Sequence, residues 1–248
     1  MLSRVSIPVT TNCTLNCDKC LVCIPDMKRH ANVPLENLIN DIQALFSHVD
    51  YIYGIVLVGG EAFLYPDLDK IIKVFSDSQK VGSISVQTNG TIIPDAGTLT
   101  ALREAKVAVS ISKYASALQP DAERLKRIFQ ENGIHYTHAS ATFWRDMGQL
   151  GQLQSGSEKK RFDVCVQQLC MPYFDGKLHL CGKSIVLLEE GIISDCCEDY
   201  IDLRTIRPAM FSAQLRKLLK RRSILACRYC LGNTYKTKKI PVAVQRES

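Results

Sequence analysis

Val5-Ser6-Ile7-Pro8-Val9-Thr10-Thr11-Asn12-Cys13-Thr14-Leu15-Asn16-Cys17-Asp18-Lys19-Cys20 is the stretch on which the reading of the whole chain depends. Val5, Ile7 and Val9 recur at the two-residue period of a strand, and that strand delivers the chain directly to three thiols spaced Cys-x3-Cys-x2-Cys. A loop at the C-terminal end of a strand is where α/β sheets and barrels place their sites. Three thiolates fall short of the four N/S ligands that a structural zinc ion normally takes. They suit an iron–sulfur cube held at three of its four irons, with the fourth open to a small molecule.

Outward from this loop, strand and helix patterns alternate. Helical spacing begins after Pro34 with Leu35, Leu38, Ile39, Ile42, Leu45, Phe46 and Val49, and residues 54–58 read as a buried strand ending in Gly59-Gly60-Glu61. A helix over 66–77 presents Leu68, Ile71, Ile72 and Phe75, and a strand over 84–86 closes in Thr88-Asn89-Gly90. A helix over 95–105, a strand over 107–112, a helix over 120–132 stopped by Gly133 and a strand over 134–138 complete the series. Such alternation implies parallel pairing through right-handed crossovers. Five strands in about 140 residues are too few for a closed eight-fold barrel. The expected fold is α/β, a partial, open parallel β/α barrel over residues 1–142.

The pattern changes after Thr142. Phe143-Trp144 and the Gly-, Gln- and Ser-rich stretch 148–160 suggest a linker or covering loop over 143–164. Residues 165–248 read as a small cysteine-bearing extension: a hairpin over 170–190 turning at Asp175-Gly176, a basic helix near 208–222, and Cys227-Arg228-Tyr229-Cys230.

Eleven cysteines are placed very unevenly, four within 13–23 and seven within 165–230. No long apolar segment follows Met1, so a secreted disulfide framework is not the expected use of these thiols; reduced, metal-binding cysteines in the cytoplasm are. No stretch approaches the ~20 apolar residues of a membrane helix. Residues 201–248 hold twelve Lys and Arg against two Asp and Glu, a basic end that suits a solvated helix face and frayed tail, or contact with nucleic acid, an acidic peptide or a phosphorylated substrate.

The three-cysteine loop, with Gly59-Gly60-Glu61 at the next strand end and Thr88-Asn89-Gly90 at the one after, resembles the radical S-adenosylmethionine (radical SAM) superfamily. Ala62 stands where the family usually has proline, and Lys19 where an aromatic residue is common. The resemblance implies that Cys13, Cys17 and Cys20 hold a [4Fe–4S] cluster whose open iron chelates SAM. Reduction then yields methionine and a 5′-deoxyadenosyl radical that abstracts hydrogen from a substrate. It also implies SAM contacts from Gly59, Gly60 and Glu61, with the carboxylate and nearby backbone on the methionine ammonium, and from Thr88, Asn89, Ser110 and Ser112. An electron donor such as flavodoxin or ferredoxin would be a partner. Cys23 is expected to be a buried thiol outside the ligand set.

The second cysteine group resembles the SPASM and twitch extensions of the same superfamily. The run Cys165-x10-Gly176-x4-Cys181 matches their opening and Cys227-x2-Cys230 their closing pair, whereas the full SPASM run is absent. One auxiliary [4Fe–4S] cluster on Cys165, Cys181, Cys227 and Cys230 is implied, with Cys170 and Cys196 as alternates; Cys197 is a candidate hydrogen donor to a substrate radical. A four-cysteine zinc ribbon is the alternative for this group. His30, His48, His135, His138, His179 and Trp144 have no partner motif and are expected to be surface or packing residues.

The resemblance points to an enzyme, an oxidoreductase or epimerase acting on a small polar metabolite such as a sugar or aminocyclitol. No leader-gripping domain is evident, which favours this over a maturase of ribosomally made peptides. A non-catalytic, metal-stabilised nucleic-acid-binding protein is the alternative of another class.

Overall fold

The computed structural model of the chain describes all residues except Ser140, Ala141, Cys196, Cys197 and Ser248, and of Ala139, Gln168 and Leu169 it describes the backbone only. It divides into two compact units, Met1–Leu15 with His30–Ala141 and Asn16–Arg29 with Thr142–Ser248. The division falls inside the cysteine loop, so the short segment bearing Cys17, Cys20 and Cys23 groups with the second half of the chain.

The first unit alternates β1 (Leu2–Thr10), α1 (Leu35–His48), β2 (Ile52–Gly59), α2 (Leu68–Ser76), β3 (Ile84–Thr88), α3 (Ala96–Glu104), β4 (Ala108–Ser112), α4 (Ala122–Glu131) and β5 (Tyr136–Ala139). Each element of the sequence pattern is present, with ends moved by a few residues. The strands lie in the order β5-β4-β3-β2-β1, every neighbouring pair parallel. Sheet order therefore follows chain order without reversal. Right-handed crossovers wound in one direction put the helices on one face and leave the other free, the arrangement of a barrel left open.

Burial follows that asymmetry. Ile7, Leu57, Val86 and Val109 share one row across the sheet and are buried. The helices supply Leu38, Ile42 and Leu45, then Leu68, Ile71, Ile72 and Phe75, then Leu125 and Phe129, all buried. Each such side chain contributes about 1.5–3 kcal/mol. On the opposite face Gln87 is exposed and Ser110 half-buried, and the two are paired in register. Asp95 caps α3 by accepting a hydrogen bond from the Thr98 amide at 2.8 Å, and Gly133 ends the α4 turn at φ 65°.

The second unit contains β6 (Trp144–Arg145), α5 (Glu158–Asp163), β7 (Met171–Phe174), β8 (Lys177–His179), α6 (Gly182–Glu189), β9 (Tyr200–Asp202), α7 (Pro208–Leu219) and β10 (Lys239–Ile240). β7, β8 and β9 form an antiparallel meander. The expected turn at Asp175-Gly176 is present, both residues having positive φ as a tight hairpin turn demands. The expected hairpin does not run to Glu190, however. After His179 the apolar run Ile185-Val186-Leu187 is buried as helix α6, which a short continuous apolar stretch permits as readily as a strand. The expected linker forms a strand of its own, β6, which pairs antiparallel with β10. Among the described residues no helix is long and apolar enough to cross a membrane.

Candidate functional site

In the first unit the ends of β1, β2 and β3 are tied into one cluster. The Gly60 amide donates to the Thr10 carbonyl at 3.0 Å and the Glu61 amide to the Asn12 carbonyl at 2.8 Å. A Cβ added at Gly60 would lie 2.3 Å from the Asn12 oxygen and 2.8 Å from the Cys13 Cβ. Only glycine lets the two loops approach so closely, and the Gly-Gly pair thus seats the first cysteine.

Asn89 joins the third strand end to the same place. Its Nδ2 donates to Cys13 Sγ at 3.6 Å and to Thr14 Oγ1 at 3.1 Å, while its Oδ1 accepts from the Thr91 amide at 3.0 Å. The Leu15 amide also donates to Cys13 Sγ, at 3.5 Å. Donors aimed at a sulfur favour its anionic, metal-binding form. Gln119, which the sequence did not single out, is 4% exposed and donates through Nε2 to the carbonyls of Asn89 and Ser112. It thereby fixes the end of β4 beside that of β3.

Glu61 is enclosed by hydrogen-bond donors of the protein. Its side chain is 0% exposed, and its carboxylate accepts from the Phe63 amide at 3.0 Å, the Thr88 hydroxyl at 2.8 Å and the Asn89 amide at 2.7 Å. Burial pushes its carboxyl above the usual carboxylate range, and these donors pull it back. The carboxylate braces Thr88 and Asn89 from beneath, with the half-buried Gly59 and Gly60 backbone beside it. Glu61→Gln should therefore destabilise the fold by about 1–3 kcal/mol, because either amide orientation turns an NH2 toward an existing donor. Urea unfolding reads this as a lower midpoint at unchanged slope. An unshifted midpoint would show that the brace carries no weight.

In the second unit, Cys17 is buried and Cys20 half-buried. Cys17 Sγ accepts a hydrogen bond from Gln245 Nε2 at 3.2 Å. Cys23 is 4% exposed, and burial pushes its thiol up to about 11. Lys19, in the position where the family often has an aromatic residue, pairs with Asp146 at 3.6 Å.

Further along the same unit, Cys165, Cys181, Cys227 and Cys230 line one cavity of about 50 Å³. Burial pushes the Cys181 and Cys227 thiols up to about 12 each, and the neighbouring cysteines add to it. Thiols in such surroundings ionise only against a compensating cation. Lys183, 3% exposed, lines the cavity too and donates to the Met147 carbonyl at 3.2 Å. Cys230 Sγ accepts from the Gly232 amide at 3.2 Å. The loop bearing Cys227 and Cys230 is anchored by Asp199, 1% exposed, whose carboxylate accepts from the amides of Leu225 and Ala226 at 2.7 and 2.9 Å. Among the described residues no three Cys, His, Asp or Glu side chains converge as ligands of a single ion would.

Cys170 is not among the residues lining that cavity. Cys196 and Cys197 lie outside the described residues. Ser110 and Ser112 are half-buried on the side of β4 opposite Val109 and Ile111. His179 is buried against Ser184 Oγ at 2.8 Å, and Trp144 belongs to the β6–β10 pair. Part of the basic end is partnered: Arg204 with Asp175, Arg221 with Glu198, Arg222 with Asp163, Arg228 with Glu158 and Arg246 with Asp26. Gln119, Lys183, Asp199 and Gln245 carried no sequence signal, because an isolated Gln, Lys or Asp acquires a role only when distant segments meet around it.

No curated protein matches the sequence. Among solved structures, that of BtrN in complex with AdoMet and 2-DOIA is similar over 100% of this chain and 96% of its own, at 13% identity and a TM-score of 0.52. The structure of anSMEcpe with bound AdoMet is similar over 58% of this chain, at 20% identity and a TM-score of 0.48, and that of Streptococcus suis SuiB bound to S-adenosylmethionine over 55%, at 19% and 0.45. The chain spans 44% of the length of anSMEcpe and 33% of SuiB. The family described as the radical SAM superfamily matches residues 7–135, just over half of the chain and all the strand-end loops gathered around Cys13. With its singly wound parallel sheet, its three-cysteine loop after β1 and this match, the chain belongs to the radical SAM superfamily.

Proposed function

We propose that the protein is a radical SAM oxidoreductase or epimerase with one auxiliary [4Fe–4S] cluster, acting on a small polar metabolite of the sugar or aminocyclitol class. The observation that carries this reading is the gathering of Cys165, Cys181, Cys227 and Cys230 around one cavity, in a chain that also bears the family's Cys13, Cys17 and Cys20. Correspondence over almost its whole length with BtrN, a protein solved with AdoMet and 2-DOIA, supports the same reading.

Cys13, Cys17 and Cys20 would hold the first cluster as thiolates and leave one iron for SAM. When bound, the cluster and SAM supply one-electron cleavage of the sulfonium and a 5′ carbon able to take a hydrogen atom. The chain's own residues prepare for this. The Gly59-Gly60 backbone borders the Cys13 loop, with Thr88 and Asn89 braced by Glu61 and, in this reading, the SAM contacts. Ser110 and Ser112 offer hydroxyls from the next strand. Cys165, Cys181, Cys227 and Cys230 would hold the auxiliary cluster, and Lys183 would set a positive charge beside it. Held by these four cysteines, an auxiliary cluster would supply an electron acceptor for an oxidised product, whereas epimerisation would call for a returned hydrogen, for which Cys197 is the candidate.

The test is anaerobic incubation of reconstituted, dithionite-reduced protein with SAM and deuterated candidate sugars or aminocyclitols. Deuterium is expected in 5′-deoxyadenosine, with product oxidised by two electrons for a dehydrogenase or at the same oxidation state for an epimerase. Label arriving only from a peptide would replace this reading with that of a peptide maturase. Colourless, zinc-loaded protein that leaves SAM intact would overturn it.

A further inference from the structure

The segment closing the described chain is a strap across the three-cysteine loop. Ala243 is buried and turns the chain through a left-handed backbone, φ 51°. Beyond it, Gln245 and Cys17 form an antiparallel bridge. The Asp18 amide donates to the Val244 carbonyl at 2.6 Å and the Arg246 amide to the Asn16 carbonyl at 2.8 Å. Arg246 locks the strap: its guanidinium donates to Asp26 Oδ1 at 2.6 Å and to the Pro25 carbonyl at 3.0 Å, and lies 3.8 Å from Asp18. Its charge, expected from the sequence to face solvent or a partner, is used within the protein.

The Gln245 side chain joins the strap to the middle of the loop, at Asn16 and Cys17. Its Oε1 accepts from the Asn16 amide at 2.8 Å, while its Nε2 donates to the Ala243 carbonyl at 2.7 Å and to Cys17 Sγ at 3.2 Å. This orients the amide unambiguously, since both neighbours of Nε2 are acceptors and the neighbour of Oε1 is a donor.

We propose that Gln245 is a positioning residue for the SAM-binding cluster. Its N–H···S bond holds the Cys17 sulfur and raises the reduction potential of the cluster that Cys17 helps to hold. The inference rests on the assignment of Cys13, Cys17 and Cys20 under Proposed function. An N–H donor withdraws charge from a thiolate, and the reduced cluster, carrying one more negative charge, gains more from it than the oxidised one. The effect falls on the protein's hardest electron transfer, reduction of a low-potential cluster.

The experiment is an anaerobic redox titration of wild type, Gln245→Met and Gln245→Glu, following the EPR signal that responds to added SAM, so that the auxiliary cluster does not interfere. Gln245→Met removes the donor at similar volume. Gln245→Glu keeps the acceptor for the Asn16 amide, and so the strap, but replaces the donor with a negative charge. Iron content is expected to stay at the wild-type value in Gln245→Glu. The ratio of reduced to oxidised cluster at a fixed potential is expected to fall about tenfold in Gln245→Met, equivalent to about 59 mV for one electron, and further in Gln245→Glu. A merely structural strap would lower iron content or heat stability without moving the potential. Wild-type potentials in an iron-replete Gln245→Glu protein would overturn the inference, even if Gln245→Met failed to fold. Absence of any SAM-responsive cluster in wild type would instead overturn the assignment on which it rests.

Discussion

Cys13→Ala is expected to lower the iron of anaerobically reconstituted protein from about eight atoms per chain to about four, the content of one cube, and to reduce 5′-deoxyadenosine formation to background. The argument is one of ligand number. A cube already held at only three corners keeps its fourth iron for SAM, and removing a thiolate leaves two anchors. Cys13 is also the sulfur on which the strand ends of the first unit converge, through the Leu15 amide and Asn89 Nδ2. Alanine would remove the acceptor these two donors share, leaving Asn89 Nδ2 with Thr14 Oγ1. In the proposed assignment the auxiliary cluster has four other cysteines as ligands and should load normally. Iron assay, visible spectrum and SAM turnover check this together. A variant retaining both its iron and its SAM cleavage would remove Cys13 from the ligand set.

The double substitution Cys227→Ala with Cys230→Ala should have the complementary outcome. Iron again falls from about eight to about four per chain, but dithionite-driven cleavage of SAM in the absence of substrate persists, because the first cluster keeps its three thiolates. Turnover to an oxidised product should be lost. Two of the four sulfurs around the cavity come from this pair, and the remaining two cannot hold a cube. The loop itself should survive, since Asp199 anchors it through backbone amides. Wild-type iron content in the double variant would show that the cavity holds no cluster. Four thiols with bound zinc in wild type would favour the ribbon alternative.

Much of the first unit was legible in the sequence because its signals are local. The helical spacing from Leu35 to Val49 and the alternation of Val5, Ile7 and Val9 depend only on which side of an element must be dry. The three strand-end motifs declare themselves through glycines and thiols at close spacing. The hairpin beyond Asp175-Gly176 was read too far because Ile185-Val186-Leu187 is apolar without a clear period, and only its surroundings choose helix over strand. A carboxylate after two glycines at a strand end suits a ligand group, and that much is local. The burial of Glu61 depends on Phe63, Thr88 and Asn89, two of them contributed by the next strand.

By itself the sequence determined the succession of strands and helices, the cysteine loop after the first strand and hence the superfamily, for these follow from periodicity and from spacings of a few residues. Tertiary structure alone decided that Cys165, Cys181, Cys227 and Cys230 share a cavity, that Glu61 faces inward, and that Gln245 reaches Cys17, 228 positions away along the chain. The physical reason is that a hydrogen bond or a shared cavity wall is set by distance in space. A Gln, a Lys or an isolated thiol far along the chain carries no local trace of the partner that folding brings to it.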